Sequence, residues 1–370
     1  MADTISFARG VPAPELLPVE ELADCARTAL RDPAALGYAP GGGFPPLRAW
    51  IAERHGVEPE RVVVTNGSLQ GFVLLARRLV AGRRRVVVEA PTYDRPLAIL
   101  AELGADVVPL RLDDDGLDPE ALAAVLREGP PPAFLYTIPT FQNPSGRTLP
   151  AARRERLVEV AREHGLLVLE DDPYGLVRFD GEPEPLLLEL DGGEHVVYSS
   201  SFSKTAAPGL RVGYLVLPRT LAADVERAAV STYLSPAVAG QATLYEFLRR
   251  GLFGPHLRRL RALLRVRRDA MLDALASAFA PEQFTPPRGG YFVWLRLPGG
   301  VDEGRFVADA RGAGVALVAG ADFYPAAAGS APAVRLAYSA VSPEEIARGV
   351  ARLAGLVPPL AALESRLATR

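Results

Sequence analysis

Between residues 61 and 217 the chain repeats one pattern: a short β-branched or apolar run, a turn, then an amphipathic segment. The runs are 62–65, 85–89, 106–110, 134–138, 166–170, 195–199 and 213–217. Helical periodicity fills 68–80, 95–103, 119–127 and 150–164 between them. Near-continuous apolar strands separated by helices do not suit a sheet with one wet face. They predict a mostly parallel sheet covered on both sides. Such sheets bind ligands beyond the carboxyl ends of their strands. The residues that follow each run are therefore the first place to look for chemistry.

The first run leads into Thr65-Asn66-Gly67-Ser68-Leu69, a glycine turn entering a helix. Free N–H groups and a hydroxyl there suit a phosphate, although an ordinary N-cap serine accounts for them equally well. The second run leads to Tyr93, which can stack on a planar ring or simply pack in the core. Asn143 follows the fourth run and precedes a Pro-Ser-Gly turn, so its amide can be presented to a ligand. After the fifth comes Glu170-Asp171-Asp172-Pro173-Tyr174. A carboxylate directly on an apolar strand is costly to bury without a cationic partner.

The sixth run ends in Ser199-Ser200-Ser201-Phe202-Ser203-Lys204. Of the 41 Lys and Arg residues, Lys204 is the one lysine. Arginine serves wherever a fixed positive charge is enough, whereas a lysine amine can lose its proton and attack a carbonyl. Lys204 therefore reads as an amine that holds a cofactor aldehyde as a Schiff base. The serines and Arg211, in Gly209-Leu210-Arg211-Val212-Gly213, would hold an anionic group such as phosphate.

This stretch, S-x-S-K followed by G-x-R-x-G, resembles the lysine motif of fold-type-I pyridoxal-phosphate (PLP) enzymes. The order of strand-end residues resembles the class I/II aminotransferases, in particular the 2-aminoadipate/kynurenine aminotransferase group. The resemblance implies pyridoxal 5'-phosphate as cofactor, with Lys204 as covalent anchor and acid–base. It implies Asp171 at the pyridine nitrogen, Asn143 and Tyr174 at the phenolic oxygen, and Tyr93 on the ring face. Ser68, the N–H of Leu69, Ser201, Ser203 and Arg211 would surround the phosphate. The segment Tyr38-Ala39-Pro40 to Leu47-Arg48 resembles the one that brings a tyrosine to the neighbouring subunit's phosphate, which implies a homodimer. A plain Gly/Pro linker is the alternative for it. Arg9-Gly10-Val11-Pro12 stands where relatives have a Gly-Gly-x-Pro loop beside the substrate, so Arg9 brings a cation to that position. It either faces the substrate or pairs with an acid such as Glu15.

Residues 236–279 form a long helical stretch, interrupted at 251–255, and beyond it the pattern changes. Strands at 289–297, 315–318 and 334–338, with a closing helix at 343–356, make a small α+β unit. The expected architecture is an α/β, fold-type-I PLP-dependent transferase with a seven-stranded, mostly parallel sheet and a smaller α+β domain. Residues 36–255 form the large domain, and 1–35 with 256–370 the small one. Arg335 sits inside an apolar strand and needs an anionic partner. By resemblance that partner is the substrate α-carboxylate, with Asn143 beside it; a structural ion pair is the alternative.

Composition narrows the function further. A net charge of −3 gives no basic field for nucleic acid, and the arginines of 258–268 read as one solvated helix face. A single cysteine, Cys25, excludes an internal disulfide and fits a reducing cytoplasm. His55, His164, His195 and His256 lack ligand spacing, so no metal is expected, and each reads as a surface or helix-end residue. The N-terminus lacks a signal-peptide pattern, and charges or prolines break every apolar run short of a membrane span. The expected reaction is ping-pong transfer of an amino group between an α-amino acid and a 2-oxo acid. Another PLP reaction on an amino acid, by a decarboxylase, lyase or oxidase, stays open. A PLP-dependent regulator domain fits less well, since nothing ahead of Thr4 reads as a helix-turn-helix.

Overall fold

The computed structural model describes residues 4–82, 85–326 and 328–357. Its strands in chain order are β1 (Ile5–Ser6), β2 (Val62–Thr65), β3 (Arg85–Ala90), β4 (Asp106–Asp113), β5 (Gly116–Leu117), β6 (Leu135–Thr137), β7 (Val168–Asp171), β8 (Val196–Ser201), β9 (Gly213–Val216), β10 (Phe292–Arg296), β11 (Val315–Ala316), β12 (Val318–Ala319) and β13 (Ala333–Ala337). The main sheet runs β2-β9-β8-β7-β6-β3-β4-β5. The strands from β4 through β8 pair parallel, and β9 and β2 pair antiparallel at one edge. The seven expected strands are all present. An eighth, β5, folds back on β4 through Asp113–Gly116, where Asp113 accepts from the Asp115 N–H and Gly116 takes a left-handed φ of 96°. Two residues are too few to show a period in the sequence.

Along the central strands successive side chains point to opposite faces, and both faces are covered. Val62, Val64, Val87, Val168 and Val196 join the hydrophobic cluster on one face. Val63, Val86, Val88, Leu169 and Val197 join the cluster on the other. This two-sided burial is what makes the strands read as unbroken apolar runs. The helices Ser68–Val80 and Pro119–Arg127 fall where the periodicity places them. The helices Arg219–Tyr233 and Glu303–Gly312 were not expected. The first buries only the small side chains of Ala222, Val225 and Ala229.

A third cluster builds the smaller unit around β10, β13 and the helix Pro343–Ala354. Ile5 and Phe7 pack there, whereas Ala13, Leu16, Cys25 and Ala35 pack with the main sheet. The division into 36–255 and 1–35 with 256–370 is a proposal, to which this packing adds that residues 13–35 rest on the larger body. The helix Phe253–Ala276 joins the two: Leu257, Leu260 and Leu264 belong to the large cluster, Met271 and Leu275 to the small. Its arginines are not all solvated. Arg267 is buried against Glu15 and the Ser339 carbonyl, and Arg268 against Asp180. His256, on the same helix, is buried too.

Candidate active site

A cavity of about 590 Å³ opens at the carboxyl ends of β7 and β8, between the sheet and the smaller unit. It gathers every site residue expected from the sequence except Tyr38. A larger cavity, about 760 Å³, lies around His55, Asp172 and Tyr198 and does not include Lys204. The two neighbouring aspartates thus face different spaces, and only Asp171 faces the lysine's.

Lys204 follows β8 after a tight turn. Its Nζ donates to the Gly10 carbonyl at 2.5 Å and lies 5.7 and 6.0 Å from the ring centres of Tyr291 and Tyr174. The Tyr291 hydroxyl donates to the Lys204 carbonyl at 2.7 Å, which fixes the backbone beneath the side chain. Burial, helped by the charges of Arg335 and Arg211, pushes the amine down to about 8. Roughly a tenth of it is then unprotonated at neutral pH, against well under a thousandth for a solvated lysine.

Asp171 ends β7 and pairs in register with Ser199 of β8. Its Oδ2 accepts from the Tyr136 hydroxyl at 2.8 Å. Its Oδ1 is buried with no partner among the described residues. Burial pushes the carboxyl up to about 6, against the pull of hydrogen bonds from Tyr136 and Ser199. A buried carboxylate with one open oxygen is the partner a protonated ring nitrogen requires. Tyr136 was missed in the sequence because a tyrosine inside an apolar run reads as core; its position on the strand beside β7 was the available signal.

The phosphate candidates converge around two glycines. A Cβ on Gly67 would lie 2.2 Å from Arg211 Nη2, and one on Gly213 would lie 2.3 Å from the Ser68 nitrogen. Without those methyls Arg211, itself at a left-handed φ of 54°, lies across the start of the helix Ser68–Val80. Its Nη2 donates to the Asn66 carbonyl at 2.9 Å. Ser201 Oγ donates to Ser203 Oγ at 2.8 Å on the opposite wall. Open helix N–H groups at Ser68 and Leu69, a guanidinium and two hydroxyls form a donor set for a phosphate dianion. Together with the open Asp171 oxygen, this set fits pyridoxal phosphate.

Arg335 lies in β13, 8% exposed, between the rings of Phe292 at 4.3 Å and Phe323 at 4.8 Å. Its Nη1 donates to Asn143 Oδ1 at 2.9 Å and its Nη2 to the Ala8 carbonyl at 2.7 Å, while Nε is buried and unpartnered. Among the described residues no carboxylate pairs with it, so the structural ion pair does not form. Phe292 and Phe323 were not singled out in the sequence, since aromatics there read as core. Tyr174 is buried against Tyr291 and Phe292. Asp172 holds the turn that carries it, with Oδ1 accepting from the Gly175 N–H at 2.7 Å. Tyr93 precedes the helix Asp94–Glu102, half-buried, its phenol pushed up to about 12 by burial. Arg9 is exposed at the cavity mouth with Gly10. Glu15 pairs with Arg267 rather than with Arg9. Tyr38 is 86% exposed and lies outside the cavity.

Residues 2–353 match the family described as Aminotransferase class I and II. The 2-aminoadipate transaminase of Thermus thermophilus is 38% identical over 97% of this chain and 91% of that protein. An aromatic-amino-acid aminotransferase of Thermococcus litoralis is 36% identical over 95% of this chain and 88% of its own length. In three dimensions the chain is similar to the kynurenine aminotransferase of Pyrococcus horikoshii, solved in complex with PMP. The TM-score is 0.91 at 35% identity, covering 96% of this chain and 91% of that one. With a lysine amine, an open buried carboxylate and a phosphate cradle meeting in one cavity, the chain belongs to the class I/II aminotransferases and is a pyridoxal-phosphate-dependent aminotransferase of fold type I.

Proposed function

We propose that this aminotransferase acts on α-amino acids bound by Arg335 and Asn143, with Lys204 as covalent anchor and proton carrier. The observation that carries the reading is the depressed Lys204 amine in the same cavity as the open Asp171 oxygen. Pyridoxal phosphate, when bound, supplies the electron sink that makes the substrate Cα–H acidic. Asp171 would hold the proton on its ring nitrogen, Asn143 and Tyr174 would bond its phenolic oxygen, and Tyr93 would cover its ring. Ser68, Leu69, Ser201, Ser203 and Arg211 would bind its phosphate. Arg335 offers Nε and Nη atoms in one plane, the fork that grips a carboxylate in two places. Lys204 Nζ would take the proton from the substrate Cα. Arg335 and the ring pair Phe292 and Phe323 orient that bond and keep water from it.

Arg9 sets the substrate class in this reading. It stands at the cavity mouth and makes no ion pair among the described residues, so a side-chain carboxylate can complete it. The test is kcat/KM for glutamate, 2-aminoadipate, leucine and phenylalanine in wild type and Arg9→Gly. Hydrogen bonds to charged groups contribute roughly 1.5–3 kcal/mol each. The two acids should therefore lose about tenfold to a hundredfold relative to the two apolar substrates. An unchanged acid-to-apolar ratio removes Arg9 from the site.

We further propose a homodimer in the cytoplasm, without nucleic-acid or membrane partners. Leu36 and Tyr38 are exposed beside Val230 and Leu234, and the Ala39 N–H donates to Ser235 Oγ across the two segments. Exposed apolar side chains on two segments held together in this way suit a surface that a second copy covers. The charge balance, the free and buried Cys25, and the lack of a described helix able to cross a membrane support the rest. Light scattering should give twice the chain mass. In verified heterodimers, an inactive Lys204→Ala chain and an impaired Tyr38→Phe chain should together recover activity, because one site receives both intact residues. No recovery would place Tyr38 outside the partner's site.

A further inference from the structure

A third cavity, about 320 Å³, lies where the outer strand of the main sheet meets the smaller unit. It shares no lining residue with the Lys204 cavity. Three arginines enter it: Arg111 from β4, Arg147 from the loop before the helix Ala151–His164, and Arg296 from the end of β10. Their charges are poorly matched. Arg111 Nη2 donates to the Ala328 carbonyl at 2.6 Å and Arg296 Nη2 to the Glu282 carbonyl. Neither forms an ion pair among the described residues. Arg147 reaches exposed Asp114 through Nη2 at 2.6 Å, but its Nε is buried with no partner. Asp113, the other acid in the cavity, already accepts from both Nη atoms of Arg153 at 2.7 Å.

The groups are close enough to feel one another. Burial, with the charge of Arg296 adding to it, pushes the Arg147 guanidinium down. Tyr324, which lines the same cavity, has its phenol pushed up by burial while Arg111 and Arg147 pull it back. Three guanidiniums converge on a cleft that holds only two carboxylates, Asp113 and Asp114, of which Asp113 is already taken by Arg153, so an added anion is favoured there.

We propose that this cleft binds a small dianion, inorganic phosphate or a short dicarboxylate, as a site separate from catalysis. Arg111 and Arg147 belong to the larger body, Arg296 and Tyr324 to the smaller unit, so the anion ties the two bodies together. Arg147 Nη1 and the free N–H groups of Arg111 and Arg296 are its donors, and planar guanidiniums suit the paired oxygens of either ligand. The cleft lies behind the wall of the substrate site: Trp294 lines it and packs edge-on, 5.8 Å away, against Phe323, which covers Arg335.

The test uses the cofactor-loaded enzyme, so that the catalytic phosphate cradle is filled. Thermal unfolding is followed against inorganic phosphate, and separately against succinate, with sodium chloride at matched ionic strength as reference. Wild type should show a saturable rise in Tm of about 2 °C with phosphate. Arg111→Gln/Arg296→Gln should lose that rise while keeping its turnover without phosphate. Ala331→Asp places a carboxylate at the same exposed wall; it should abolish the phosphate response and raise the Tm of the anion-free enzyme. A succinate rise that the double variant also loses assigns the cleft to dianions in general, and no such rise assigns it to phosphate. An equal phosphate rise in wild type and both variants, or a chloride effect as large as phosphate's, overturns the proposal. So does the absence of any saturable rise in wild type.

Discussion

Lys204→Arg should leave a folded protein with turnover lower by about four powers of ten or more, since proton transfer alone contributes up to about that much. The substitution keeps a positive charge, and a guanidinium can still donate to the Gly10 carbonyl that receives Lys204 Nζ. What it removes is the ability to be neutral. The native amine is pushed down to about 8 by burial and by the charges of Arg335 and Arg211. A guanidinium in the same place stays protonated throughout the working range. Turnover with an amino acid and a 2-oxo acid checks the loss. Borohydride reduction followed by peptide mapping should fix the cofactor's mass on the Lys204 peptide of wild type and nowhere in the variant. Turnover within tenfold of wild type would show that another group does the chemistry. Capture of the cofactor by cofactor-free wild type should quicken as pH rises toward 8 and level off above it. An unperturbed lysine would still be gaining free amine at pH 10.

Asp171→Asn should retain the cofactor and lose about two to three powers of ten in kcat, the range found when one preorganised charged contact is removed. Retention is expected because the proposed phosphate donors, at Ser68, Ser203 and Arg211, are left unchanged. An amide oxygen can still accept from the Tyr136 hydroxyl, so the packing stays close to native. The amide cannot balance a protonated ring nitrogen, and this is the deficit that kcat reads. Asp172→Asn is the control. Its carboxylate faces the larger cavity and bonds Tyr198 and the Gly175 N–H, roles that an amide oxygen can partly fill. A larger loss from Asp172→Asn than from Asp171→Asn would reverse the two assignments.

The same substitution has a stability signature with a definite sign. Without cofactor the Asp171 carboxyl is raised to about 6, above its unfolded value near 3.9. The folded state then binds more protons than the unfolded one between those values, and wild type loses stability as pH rises through that window. Asn does not titrate. Cofactor-free Asp171→Asn should therefore gain on wild type from about pH 4 to 6 and hold that advantage at pH 7.

Most of the sheet could be read in the sequence because its central strands are buried on both faces, so their runs are largely apolar. The site could be read because a parallel sheet puts its chemistry just after the strands, where Asp171 and Lys204 stand. The unread parts have physical causes of their own. Arg219–Tyr233 buries Ala222, Val225 and Ala229, small side chains that do not stand out as a core face. Arg267 and Arg268 look like solvated helix residues until a glutamate and an aspartate from distant segments reach them. Tyr136, Phe292 and Phe323 serve the site through aromatic or phenolic groups that any core also uses. Tyr136 and Phe292 meet their partners across neighbouring strands, and strand order is not written in local pattern. Tyr38, exposed in a single chain, has its proposed role in a second one.

The segment after β1 runs across the mouth of the catalytic cavity and spends its carbonyls on the two cations that matter there. Ala8 accepts from Arg335 and Gly10 from Lys204. In the proposed reading the Gly10 bond is given up when Lys204 turns to the cofactor, and the Ala8 bond is perturbed when Arg335 takes a substrate carboxylate. Occupancy of the site is thus transcribed into the vibrational frequencies of two peptide groups. Isotopic labelling of the Ala8 and Gly10 carbonyls would separate their infrared bands and read the two ligands independently, Ala8 reporting the substrate and Gly10 the cofactor.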